Sequence, residues 1–87
     1  MTSDSQRWLD SIHRRYELGP DEEVLIEQAG QVLDRIIAAE AQVETDGLML
    51  ATRGGGNKVH PLVRVITDNR ALLLRYVREL GLGEGEK

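Results

Sequence analysis

The side chains able to do chemistry in this sequence are few and poorly placed for it. Two histidines, His13 and His60, stand far apart with no ligand spacing between them, so no histidine metal site is expected. There is no cysteine, which excludes thiolate metal sites, disulfides and cysteine nucleophiles. The run Gly54-Gly55-Gly56-Asn57-Lys58 invites a phosphate-cradling reading, because backbone N–H groups of a glycine loop bind phosphate. Lys58 is followed by Val59 rather than Ser or Thr, however, and no strand–loop–helix frame of the needed spacing surrounds it. The carboxylates crowd into a helical stretch whose opposite face is apolar. A solvated face accounts for them better than an acid/base pair. No nucleophile has an evident base beside it. These residues point away from an enzyme and imply no cofactor.

The aromatic residues face a similar test. Trp8 and Tyr16 are able to stack on nucleic-acid bases. Together with Leu9 and Ile12 they form one stripe at helical spacing, and that pattern is core packing.

The elements that position these groups follow from punctuation and periodicity. Ser3-Asp4-Ser5-Gln6 has capping-box spacing and opens a short helix that ends near Arg14 and Arg15. Gly19-Pro20-Asp21-Glu22-Glu23 starts a second helix, with proline at the first position and acids facing the positive end of the dipole. Leu25, Ala29, Val32, Ile36, Ala39 and Val43 then recur at alternating steps of four and three, flanked by Ile26, Leu33 and Ile37. This helix is expected to run to about Asp46, with Gly47 as its stop. At 1.5 Å per residue it would be about 40 Å long, more than a domain this small needs internally. The surplus points to partner helices. Residues 47–60 read as a glycine-rich loop or a small β-hairpin of Leu48–Thr52 against Lys58–His60. His60-Pro61 starts the last helix, whose apolar face runs from Leu62 to Leu80 and which Gly81 ends.

With 87 residues, 40% hydrophobic and 30% charged, the chain suits one small soluble domain over residues 1–82, with 83–87 as a disordered tail. No apolar run is long enough to cross a bilayer and the N-terminus is no signal peptide, so the expected compartment is the cytoplasm. The charge is segregated. From Glu17 to Asp46 there are nine acids and one base, Arg35; from Lys58 to Leu82 there are five bases and two acids. Acidic and basic elements of this kind pair within a chain or between copies, or are simply solvated.

The order of these features resembles the small subunit of tailed-phage terminases. The residues that carry the likeness are Trp8, then Leu18-Gly19-Pro20-Asp21, then a long helix closing in Val43-Glu44-Thr45-Asp46-Gly47-Leu48. After them come His60-Pro61-Leu62-Val63, Asn69-Arg70-Ala71-Leu72-Leu73-Leu74-Arg75 and Arg78-Glu79-Leu80-Gly81-Leu82. The resemblance spans residues 5–82. It implies a non-catalytic, ring-forming protein of the host bacterial cytoplasm that binds viral double-stranded DNA. It also implies a role in regulating a large terminase subunit, which carries the ATPase and nuclease chemistry.

Two features depart from the family pattern. The segments flanking the expected helical core, ending in Gly83-Glu84-Gly85-Glu86-Lys87, carry almost none of the basic extension the resemblance leads one to expect. The balance is also acidic overall, whereas phosphate neutralisation needs Lys and Arg. DNA contact is therefore expected at local clusters, Arg7, Arg14 and Arg15 in the first helix or Arg53 and Lys58 around the glycines. A ring would repeat each cluster and sum its modest charge. The expected fold is mostly α, with the last helix packed antiparallel on the central one in an oligomeric assembly. Leu25, Val32, Leu33, Ile36, Leu62, Val65, Ile66, Leu72 and Leu73 are expected at core or subunit contacts. The rival reading is a helical adaptor whose acidic helix binds a basic protein and never touches DNA. A weaker one is a dimeric operator-binding regulator.

Overall fold

A computed structural model describes residues 3–82 as three helices and a two-stranded ribbon: α1 (Ser3–Arg15), α2 (Pro20–Asp46), β1 (Met49–Ala51), β2 (Asn57–Val59) and α3 (Leu62–Glu79). The expected tail, residues 83–87, lies outside the described residues. Gln6 turns its side-chain amide to Asp10, one turn on, rather than back to Ser3 as a capping box would require.

The central helix is unbroken over 27 residues because its ends are explicit in the sequence. Gly19 is extended, Pro20 follows as the first helical residue, and the Gly19 N–H donates to Glu22 Oε1 at 2.9 Å. At the other end Gly47 donates its N–H to Val43 O at 2.7 Å and then turns the chain at φ 87° and ψ 151°. A side chain would strain that backbone, so only glycine switches helix to strand here.

Both other helices run antiparallel to α2. For α1 this follows from two contacts: the Ser5 hydroxyl donates to Asp34 Oδ1 at 2.5 Å, and His13 meets Glu23. For α3 it follows from His60 beside Asp46 at one end and from Leu73, Tyr76 and Leu80 packed against the core at the other. That core is a cluster of Leu9, Ile12, Ile26 and Ala29, with Trp8, Tyr16 and Leu18 against it. Burying an isoleucine such as Ile12 or Ile26 contributes about 1.5–3 kcal/mol. The resulting rod measures 55 × 22 × 20 Å.

The structure alters one expectation about where the apolar surplus lies. Ala29, Val32, Ile36 and Ala39 of the α2 seam are buried inside the protomer, covered by the chain's own helices. The exposed aliphatic side chains lie elsewhere: Val24 on α2 away from the seam, Leu48, Met49 and Val59 at the ribbon, and Val65 and Leu74 on α3, a helix with no buried residue. Of the residues expected at contacts, Val32 and Ile36 are buried; Leu25, Leu33, Leu62, Ile66, Leu72 and Leu73 are half-buried. Val65 stands exposed at the flank of α3, so it is no part of the protomer core.

Residues 47–60 form the hairpin alternative, in antiparallel register with Met49 opposite Val59, Leu50 opposite Lys58 and Ala51 opposite Asn57. Its turn is closed by Thr52 N–H to Gly56 O at 2.8 Å and Gly55 N–H to Thr52 O at 3.1 Å, with Gly55 at φ 82°. A two-stranded ribbon this short is marginal alone. It persists here because its base is fastened to the rod.

Candidate nucleic-acid interface

The fastening is made by His60, the one buried residue of the segment 47–61. Its backbone N–H donates to Leu48 O at 2.8 Å, prolonging the ribbon, and its carbonyl accepts from Val63 N–H at 3.0 Å, starting α3. Its ring Nδ1 accepts the Leu62 N–H at 3.1 Å, which assigns the ring proton to Nε2. Nε2 then donates to Asp46 Oδ2 at 2.9 Å. One imidazole thus joins the end of α2, the ribbon and the start of α3. Asp46 sits at the negative end of a helix with no base in its last turn. Hydrogen bonds from Gln42 and then His60 hold its carboxyl below the usual value of 3.8. Pro61 keeps His60 out of the α region, so the His-Pro pair is the capping device of α3.

The cations proposed for DNA contact fall into two groups near opposite ends of α2. Arg14 and Arg15 end α1 beside the turn into α2, with Arg7 two turns back along the same helix. Arg53 and Lys58 sit on the ribbon beyond the other end. Their surroundings differ. Arg7 is ion-paired to Asp4. Arg15 stacks over the Tyr16 ring at 5.6 Å from its centroid and donates to Ser11 O. Glu17, Asp21, Glu22 and Glu23 follow within the next turns. Arg14 is exposed and has no ion-pair partner among the described residues.

By contrast, the whole span from Gly47 to Thr67 contains no carboxylate and three bases, Arg53, Lys58 and Arg64. Arg53 and Lys58 are exposed without an ion-pair partner among the described residues, and Arg64 is engaged loosely by Asp68 at 3.9 Å. Beside them Leu48, Met49 and Val59 are about half exposed. A two-stranded ribbon of this size is one of the elements that fit the major groove of B-form DNA. Backbone at Gly54–Gly56 carries no side chain to hold a phosphate strand away.

Sequence reasoning missed three contacts that position these groups: Ser5–Asp34, Asp46–His60 and the ion pair of Arg70 with Glu40. The His-Pro pair was a local sign of the second. The other two join residues about thirty positions apart, and no local pattern marks them. Trp8 and Tyr16 pack against the core, as their spacing predicts. Among the described residues no group of His, Cys, Asp or Glu is arranged to hold a metal ion, and no helix is long and apolar enough to cross a membrane.

No curated protein and no solved structure gives a match to this chain. A family model described as "Phage terminase, small subunit" matches residues 7–84, which takes in α1, α2, the ribbon and α3. The chain therefore belongs to the phage terminase small-subunit family, whose work is phage DNA packaging.

Proposed function

We propose that this chain is a non-catalytic small terminase subunit. In this reading it self-associates, recognises viral double-stranded DNA in the host cytoplasm and regulates a large subunit that carries the ATPase and nuclease chemistry. DNA is met at the ribbon end of the rod. One observation carries that placement: the 21-residue span without a carboxylate, which leaves Arg53 and Lys58 as unopposed cations on an exposed ribbon in an otherwise acidic protein. Phosphate contacts by such side chains release counterions, so affinity falls steeply with salt. The α1 cluster is the weaker candidate, since nearby carboxylates repel the same phosphates.

The test is duplex binding across a salt series. Reversing Arg53 and Lys58 to Glu is expected to weaken binding more than about tenfold and to flatten the salt dependence by roughly two counterions. Reversing Arg7, Arg14 and Arg15 is expected to change it less. Equal affinity of wild type and the ribbon variant would remove this placement. Absence of any DNA affinity in an assembled wild type would favour the acidic adaptor.

A further inference from the structure

Of the three aliphatic side chains that the helices leave exposed, Val24, Val65 and Leu74, the two most exposed, Val24 and Leu74, each stand one residue away from a neighbour that faces inward. Leu25 lines the α2–α3 seam with Leu72 and Tyr76; Val24 is turned about 100° from it and is 60% exposed. Leu73 packs on the core; Leu74 is turned away by the same angle and is 49% exposed. Because α2 and α3 are antiparallel, a step back on one and a step forward on the other lead to opposite faces of the two-helix layer. Both residues lie in the same half of the rod, since the start of α2 adjoins the end of α3.

Their surroundings carry opposite charge. Val24 has Asp21 one turn before it and Glu27 one turn after. Leu74 has Arg70 one turn before it and Arg78 one turn after. Asp21, Glu27 and Arg78 are exposed with no ion-pair partner among the described residues, while Arg70 meets Glu40. An aliphatic centre between two acids on one face thus matches an aliphatic centre between two bases on the other. Complementary potential of this kind fixes orientation and register between partners.

We propose that copies of this chain pack side by side in the same direction, the Val24 face of one against the Leu74 face of the next. This rests on the self-association in the functional reading above and names the surface that performs it. The contact is heterologous, so each copy keeps one free face of each kind, and repetition closes a ring or extends a helix. Parallel stacking brings every ribbon to one rim and every α1–α2 turn to the other.

Sedimentation or light scattering across a concentration series tests this with Asp21→Arg, Arg78→Glu and the double variant, each checked for folding by circular dichroism. These reverse the acid and the base that the parallel packing sets level with each other. Each single reversal places like charges across the contact and is expected to weaken association about tenfold or more. The double variant restores opposite charges with reversed sense, and so does mixing the two singles; both are expected to recover assembly. Single variants that assemble as wild type does would overturn the surface while leaving self-association intact. Weak singles without recovery in the double variant would overturn the pairing. A wild type that stays monomeric would overturn self-association itself, whatever the DNA assay gives.

Discussion

The two ends of this rod are built on different principles. At the α1–α2 turn, three helices meet around Leu9, Ile12, Ile26 and Ala29, the aromatic side chains face inward, and carboxylates dominate the surface. At the ribbon end, His60 is the buried residue of the segment, Leu48, Met49 and Val59 face solvent, and no carboxylate occurs between Gly47 and Thr67. The first end holds the fold together and the second is free to meet a partner. Regions with few buried contacts have low local stability, and binding elements are drawn from them. The difference shows how an acidic protein of 87 residues can present a locally basic element.

The largest effect is expected where the comparison can be broken outright. Ile26→Ala removes a fully buried side chain and should cost about 2–5 kcal/mol, enough to threaten folding in so small a domain. Val59→Ser at the ribbon should change global stability by less than about 0.5 kcal/mol. Chemical denaturation of both variants checks the contrast, and similar losses would refute it. His60→Ala comes next. It strips partners from Asp46 and the Leu62 N–H and should cost about 1–3 kcal/mol. Amide exchange should speed up first across residues 48–59, with the core cluster protected.

A smaller effect sharpens the acidic side of the comparison. The hydrogen bond that the His13 ring donates to the Glu23 carboxylate holds the imidazole above its ordinary value of 6.5. A raised value in the folded state means the contribution is complete below pH 6.5 and fades as pH rises through the folded value. Both side chains are nearly half exposed, so the change is small. Thermal melts should show a slight fall from pH 6 toward pH 8 that His13→Asn abolishes. Asp46 acts in the opposite window: its lowered carboxyl value makes its contribution present above pH 3.8 and lost as pH falls through the folded value.

How much of this was legible beforehand divides along the chain. The extent of α2, from Pro20 to about Asp46, is readable because Gly19-Pro20 and Gly47 are backbone instructions that tertiary packing does not override. The apolar seam of α2 was readable as well, but its occupant was not. A period of 3.6 says that a face is covered and cannot say whether a sibling helix or a second molecule covers it. The chain's own helices bury Ala29, Val32, Ile36 and Ala39, leaving the exposed aliphatic positions elsewhere. At the proposed interface, Arg53 and Lys58 are candidates because they flank the glycine run in a chain whose family resemblance implies DNA contact, and the carboxylate-free span around them is written in the sequence. What only the fold adds is that they stand without ion-pair partners among the described residues while Arg7 is paired to Asp4. The roles of Asp46 and His60 depend on a turn that brings residues fourteen apart together, beyond the reach of periodicity.

The tip of the ribbon holds a last consequence. A methyl group added at Gly54 would touch nothing within 4 Å, and this glycine needs no left-handed backbone. Nothing among the described residues asks for its bareness. If the naked main chain serves instead to let a foreign surface come flush against it, Gly54→Ala should melt like the parent yet grip duplex less tightly, separating what this turn does for its own molecule from what it does for another.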